Sequence, residues 1–170
     1  MLKQWYLLVA AVICTACVSH STPSNSNQAN ETQYYLGKPA HQQAQAIASG
    51  EITSAALVKG YLARIEQLDG KVNSVLSVNP NALEEANAID KQLANGKTLG
   101  PLAGIPVLLK DNIESDELPT TAGSMALLNN NTGRNAPIVA KLKAAGAIVL
   151  GKTNLSEWAN FRSESSISGW

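Results

Sequence analysis

The sequence predicts an α/β fold in which N-terminal helices are followed by part of a mixed, mainly parallel sheet with helical crossovers. Two short apolar runs carry this prediction, Ile105 to Leu109 and Ala147 to Leu150. Runs without apolar and polar alternation are typical of strands buried on both faces. A helix-forming stretch from Pro137 to Ala145 separates them. The order strand, helix, strand favours parallel pairing through a right-handed crossover.

Three helices and a brief strand are predicted before the first apolar run. Gly50, Gly70 and Gly96 mark helix ends, Thr53 can cap the second helix, and Pro80 is placed to begin the third. The predicted helices cover 41–49, 53–68 and 80–95, and the predicted strand covers 74–78.

The first 17 residues have the pattern of a secretory signal peptide. Lys3 precedes an apolar run from Trp5 to Ile13, which is too short to span a membrane. The following Cys14-Thr-Ala-Cys17 resembles a bacterial lipoprotein box, in which Cys17 would be cleaved and acylated. Cys14 stands where Leu is commoner, so cleavage without a lipid stays open. The leader predicts export, with a periplasmic or outer-membrane-anchored protein and membrane contact through the lipid.

Residues 18–35 are predicted to form a flexible polar tether. The segment is rich in Ser, Asn, Gln and Thr and nearly free of apolar residues up to Gln33. Such a composition buries too little surface to offset the entropy of ordering the chain. The folded part is therefore expected at 36–170.

Composition excludes several classes of partner and site. The chain has 13 Lys plus Arg and 13 Asp plus Glu, which predicts neither nucleic-acid binding nor a polybasic membrane patch. Both cysteines lie in the leader, and His20 and His41 have no ligand-type neighbours at metal-binding spacing. No disulfide framework and no metal site are predicted, and a small-molecule or peptide partner fits better.

Lys110 is the principal candidate site residue, because it directly follows the first predicted strand. It is either solvated at the sheet rim or held in a pocket that favours a neutral amine able to act as a base. In a parallel arrangement Lys110 shares an edge with residues 151–154. That edge, outside the carboxyl ends of the strands, is where open α/β sheets bind ligands.

A second motif competes for the interpretation of the same region. Residues 146–153 match the spacing of a phosphate-binding loop. Such a loop needs backbone amides that point at phosphates, but the residues between Gly146 and Gly151 are Ala, Ile, Val and Leu, which form the predicted strand itself. The sequence therefore argues against nucleotide binding.

Four segments in order resemble the N-terminal part of the amidase signature family, whose members hydrolyse carboxamides with a Ser, cis-Ser, Lys triad. The resemblance covers about Ala40 to Trp170, and the segments are 100–113, 118–124, 136–147 and 149–161. It implies that Lys110 is the triad lysine and calls for no cofactor. In the family both serines and the glycine-rich oxyanion loop follow the Ser-Gly-Trp at 168–170. The resemblance thus implies an incomplete amidase domain, inactive by itself, with exposed strand edges and apolar surface.

The segment after the second strand resembles a capping box at 154–157, which predicts a helix with Trp158 and Phe161 on one face. By analogy with the family this segment borders the acyl part of the substrate pocket, and core packing is the alternative. Ser163, Ser165, Ser166 and Ser168 are interpreted as loop serines, because serine clusters mark turns.

Two classes of function remain open. One is an exported amidase, with fatty acid amides, peptide C-terminal amides and small aryl amides as possible substrates, leaning towards the peptide-amidase-like branch. The other is a truncated exported lipoprotein remnant, or a binding module without catalysis.

Overall fold

The computed structural model describes residues 25–160 and 164–170. The predicted leader with Cys17, as well as Phe161 and Ser163, lies outside the described residues. The helices are α1 (Asn25–Tyr35), α2 (Ala40–Ser49), α3 (Ser54–Leu68), α4 (Ala82–Ala94) and α5 (Pro137–Ala144). The strands are β1 (Val75–Val78), β2 (Pro106–Lys110) and β3 (Ile148–Thr153). Single 3-10 turns lie at Asp69–Lys71, Met125–Leu127 and Glu157–Ala159.

The three strands form a mixed sheet with the order β1-β3-β2. β3 pairs in parallel with β2 and antiparallel with β1, so the predicted mixed α/β architecture is confirmed. One of the two described pairings is parallel and the other is antiparallel, so the described part of the sheet is mixed. In the parallel ladder Lys110 lies opposite Thr153, so the predicted shared edge is present.

β3 is the central strand, and its alternating side chains enter two different core clusters. Ile148 and Leu150 pack with Val58 of α3 and Ala86 of α4. Val149 packs on the other face with Leu109 of β2 and Val139 of α5. Successive side chains of a strand point to opposite faces. β3 therefore packs against α3 and α4 on one face of the sheet and against α5 on the other.

β2 differs from the prediction of a strand buried on both faces. Leu109 is buried, but Leu108 is 40% exposed. β2 is an outer strand of the described sheet, and Leu108 points to the less covered of its two faces. An apolar run therefore identified the strand correctly but not its surroundings.

The helix ends follow local signals in part. Gly50 has φ 76 and ends α2 in the left-handed region, as predicted. Thr53 caps α3 through its hydroxyl, which accepts a hydrogen bond from Ala56 N at 3.1 Å. The carboxylate of Asp90 on α4 adds a second cap, because it accepts hydrogen bonds from Ser54 N and Ala55 N at 2.8 and 2.9 Å. This long-range cap fixes α3 against α4.

α4 begins later than predicted, at Ala82 rather than at Pro80. The reason is the buried Asn79, whose side chain accepts a hydrogen bond from Asn81 N at 2.9 Å and donates one to Val149 O at 2.8 Å. These bonds hold residues 79–81 as a turn against β3.

The predicted flexible tether is wrong over Asn25–Tyr35, which forms α1. Gly60 allows α1 and the following residue to lie close to α3. A Cβ atom at this position would lie 3.0 Å from a Leu36 methyl and 3.2 Å from the Thr32 methyl. Tyr61 reinforces the contact by donating its hydroxyl to Leu36 O at 3.0 Å. The polar helix α1 is thus held by contacts of its last turn and of the residue that follows it.

Gly151 allows β1 and β3 to approach each other. A Cβ atom at this position would lie 2.3 Å from Ser77 O and 3.2 Å from the Val78 Cα. We expect Gly151→Ala to lower the free energy of unfolding by roughly 2–3 kcal/mol through overpacking, measured by urea unfolding. Gly70→Ala is the matched control, because a Cβ there meets nothing within 4 Å. Equal midpoints for the two variants would contradict this packing.

Candidate active site

Lys110 lies at the carboxyl end of β2 and is exposed. Of the two environments that the sequence left open, the structure shows the solvated rim of the sheet. No hydrogen bond or ion pair joins the Lys110 amine to another group in the part of the chain that the structure describes. The amine is therefore accessible from the open edge of the sheet.

The next residue, Asp111, is in the opposite situation and is only 1% exposed. Its Oδ1 accepts a hydrogen bond from Lys152 Nζ at 3.2 Å. Its Oδ2 accepts one from Thr121 N at 3.0 Å and a second from the Thr121 hydroxyl. Consecutive side chains thus have opposite environments: Lys110 lies in solvent, and Asp111 forms a buried ion pair.

Lys152 is the positive partner of this pair and is wholly buried, with 0% exposure. Its ammonium donates to Asp111 Oδ1, to Ile113 O at 2.8 Å and to the Thr120 hydroxyl at 2.8 Å. An ammonium has three donors, so all of them are satisfied. Burial lowers the pKa of Lys152, and the negative charge of Asp111 opposes that shift.

We call Asp111, Lys152, Thr120 and Thr121 the Asp111 network. The sequence placed residues 151–154 beside Lys110 but did not predict this network. Two signals were available: a lysine within an apolar strand, and a carboxylate immediately after Lys110. Neither signal identifies the other partner, because 41 residues separate Asp111 from Lys152.

A turn at 121–124 joins the Asp111 network to the segments after β3. Ala122 and Gly123 have φ values of 51 and 71. Ala122 N donates to Asp111 O at 2.9 Å, while Ala122 O accepts from Trp158 N at 2.7 Å. Gly123 is required here, because a Cβ would meet Leu155 O at 2.7 Å. The turn therefore fixes the chain after β3 next to the carboxyl end of β2.

The helix predicted after the capping box is wrong. The structure has one 3-10 turn, Glu157–Ala159, in which Trp158 has φ 56. Glu157 accepts a hydrogen bond from the Ser124 hydroxyl at 2.5 Å, and its amide donates to Ile167 O at 2.8 Å. These long-range partners replace the local bonds that a capping box requires.

Trp158 is 63% exposed, so it does not belong to the core that the described residues form. Its backbone amide donates to Ala122 O, and its side chain is exposed. The predicted partner on the same helix face, Phe161, lies outside the described residues.

The described loop serines have structural hydrogen bonds. Ser168 donates its hydroxyl to Asn154 Oδ1 at 2.6 Å, and Ser166 donates to Asn160 O. Ser168 and Ser166 lie outside any helix or strand, which agrees with their interpretation as loop residues.

A small cavity of about 120 Å³ adjoins the Asp111 network. Asp111, Thr121 and Trp170 line it together with apolar side chains. Trp170 donates its indole N–H to the Thr121 hydroxyl at 3.2 Å. A larger hollow of about 540 Å³, lined by His41 among others, shares no lining residue with this cavity.

Nucleotide binding has no structural basis at the phosphate-loop motif. β3 covers Ile148–Thr153, so the glycine, lysine and threonine at the end of the motif belong to the strand. The sequence argument against a phosphate-binding loop is confirmed.

The residues that the structure describes contain neither a cluster of metal-ligand side chains nor a helix that could span a membrane. No group of three or more His, Cys, Asp or Glu side chains comes together there. Within the same residues, no helix combines the length and apolarity needed to cross a bilayer.

The structure thus has an accessible lysine at the carboxyl end of a parallel strand, beside a buried ion pair and a fixed turn. These features define a candidate site at the sheet edge of an α/β protein. The family model described as Amidase matches residues 56–169. The chain therefore belongs to the amidase family, and the resemblance to the amidase signature is confirmed.

Individual relatives agree with this assignment. A probable amidase of Arabidopsis thaliana is 47% identical over 122 residues, covering 70% of this chain and 24% of the relative. One subunit of the glutamyl-tRNA(Gln) amidotransferase from Streptomyces coelicolor is 44% identical over 114 residues, covering 66% of this chain and 23% of the relative. The peptide amidase structure from Stenotrophomonas maltophilia is 45% identical with a TM-score of 0.73, covering 80% of this chain and 28% of that one. The chain thus spans about a quarter of the length of these relatives.

Proposed function

We propose that this chain is the N-terminal part of a carboxamide hydrolase and that Lys110 is its catalytic base. The position of Lys110 carries the proposal: its amine lies at the carboxyl end of β2, inside the region matched by the family model. Ligands of open α/β sheets bind at that end.

The proposed chemistry is acyl transfer. A serine hydroxyl attacks the amide carbonyl, a second serine relays its proton to Lys110, and Lys110 helps to return that proton to the amine as the C–N bond breaks. Water then hydrolyses the acyl-serine ester and restores the serine hydroxyl. A lysine with an ordinary pKa of about 10.4 is protonated at neutral pH, so a lysine base must be desolvated and bonded to neutral hydroxyls. The exposed rim in this structure leaves space for such hydroxyls from residues outside 25–170.

Exposed apolar side chains support a larger domain around the described part. Val78 on β1 and Leu108 on β2 are exposed, as are Leu128 and Trp170 near the 120 Å³ cavity. Val78 and Leu108 flank Gly151 in the sheet, and exposed apolar surface of this kind is typical of an interface that another element covers. It fits the expected position of further chain against the sheet.

The substrate class that we favour is a peptide amide, because the Stenotrophomonas maltophilia structure of 45% identity is a peptide amidase. A relative of similar identity belongs to an amidotransferase, so the matched region is common to proteins of more than one description. The choice among peptide, fatty acid and aryl amides therefore depends on residues beyond those matched here.

The direct test begins with the reading frame after Trp170. We expect an in-frame segment rich in glycine and serine, and we expect the encoded protein to release ammonia from a peptide with a C-terminal amide. Matched assays with a fatty acid amide and an aryl amide identify the class. An immediate stop codon would favour a lipoprotein module without catalysis. A folded protein that hydrolyses none of the three amides would favour the same alternative.

A further inference from the structure

The Asp111 network uses every polar group of the residue that follows Lys110. Besides its carboxylate bonds, Asp111 donates its amide to Thr153 O at 3.1 Å and accepts at its carbonyl from Ala122 N at 2.9 Å. Five hydrogen bonds thus meet at one buried residue. The backbone from which the Lys110 side chain extends is held from one side by β3 and from the other by the turn at 121–124.

Lys152 extends this control beyond Asp111. Its ammonium binds the Asp111 carboxylate, the carbonyl of Ile113 and the hydroxyl of Thr120. It therefore connects the end of β2, the loop that follows and the segment that leads into the turn. Because Lys152 belongs to the central strand, its position is itself fixed by the core.

Stability alone gives a weak reason for such a pair. Removing two charges from water is expensive, and buried ion pairs can be replaced by apolar residues without loss of stability. In some proteins buried charged or polar groups specify one arrangement of the chain. Here the arrangement that is specified includes the direction in which Lys110 leaves the sheet.

Lys110 has no side-chain partner of its own among the described residues, so its position depends on its backbone. In an acyl transfer the base must lie within hydrogen-bond reach of the hydroxyl whose proton it accepts. A displacement of about 1 Å can lower the rate of such a step by about 100-fold.

We propose that Asp111 and Lys152 are positioning residues for the Lys110 amine, acting through the hydrogen bonds that fix residues 110–113 and the turn at 121–124. This inference rests on the proposed function. It assigns to a buried ion pair a role in the rate of the reaction, separate from its role in stability.

Asp111→Asn in the full-length protein tests the inference. We expect kcat to fall at least 30-fold while KM changes less than twofold, because substrate binding does not use the pair. The assay is run well below the unfolding temperature, with rates normalised to folded protein. A purely structural role would lower the unfolding temperature and leave kcat of the folded protein unchanged.

Arg134→Met is the matched control. It removes the ion pair with Glu114 at 2.8 Å, which lies in the same loop region but at the surface. Exposed pairs contribute little, so kcat and KM should both stay within twofold of the unsubstituted protein.

Thr120→Val covers the case in which Asp111→Asn does not fold. It removes one hydrogen bond to Lys152 and keeps both charges paired, and we expect kcat to fall 3-fold to 10-fold at constant KM. The inference is overturned if folded Asp111→Asn keeps kcat within twofold of the unsubstituted protein. If Asp111→Asn does not fold, the same result for Thr120→Val overturns it. If Lys110→Ala also retains activity, the proposed function fails as well; if Lys110→Ala is inactive, only the positioning role fails.

Discussion

Lys110→Ala is expected to abolish amide hydrolysis by the full-length protein and to leave its fold intact. A positioned general base contributes about 10²–10⁴ to the rate, so kcat should fall by at least that factor. The Lys110 side chain is exposed at the rim of the described sheet and lies outside its core clusters, so its removal should leave the packing of this part unchanged. Ammonia release and thermal unfolding measure the two quantities.

Two further variants sharpen this experiment. Lys110→Arg keeps the positive charge and most of the length, but a guanidinium does not deprotonate and cannot act as a base. It should therefore be as inactive as Lys110→Ala. Lys141→Ala, at an exposed lysine of α5, should keep full activity. Activity in the arginine variant would show that Lys110 supplies only charge, which contradicts its assignment as the base.

Lys152→Met is expected to have the largest effect on stability of the substitutions considered. It leaves the Asp111 carboxylate buried without a counter-charge and removes the donors to Ile113 O and Thr120. Breaking a buried pair on one side lowers the free energy of unfolding by roughly 3–5 kcal/mol. Urea unfolding measures the loss.

The control for this prediction is Lys141→Met, which makes the same chemical change at an exposed position. Its free energy of unfolding should remain within about 0.5 kcal/mol of the starting value. A loss below about 1 kcal/mol for Lys152→Met would mean that the pair contributes no more than a surface ion pair.

Local signals predicted much of the fold. Gly50 and Thr53 end and begin helices where the sequence indicated, since each acts through its own backbone or the next turn. The two apolar runs became β2 and β3 in parallel register. These features depend on neighbours in sequence, which a single chain displays directly.

Long-range contacts account for the failures. The capping box at 154–157 is replaced by the bond between Glu157 and Ser124, 33 residues away. The helix α1 is held by the approach of Leu36 to Gly60. In both cases a partner distant in sequence competes with a local preference, and local patterns carry no information about such partners.

The candidate site shows the same division. The motif ending at Lys110 identified the lysine and its place at the end of a strand. The Asp111 network went unpredicted, because its members lie on β3, in the loop after β2 and in the segment leading to the turn. Their encounter follows from the register of β2 with β3.

A crystal structure of the full-length protein tests the central claim most directly, through the distance from Lys110 Nζ to the nearest serine hydroxyl. We expect a distance of about 3 Å, within hydrogen-bond range, to a serine encoded beyond Trp170. An amine that remains in open solvent, out of reach of every serine hydroxyl, would contradict the assignment of Lys110 as the base.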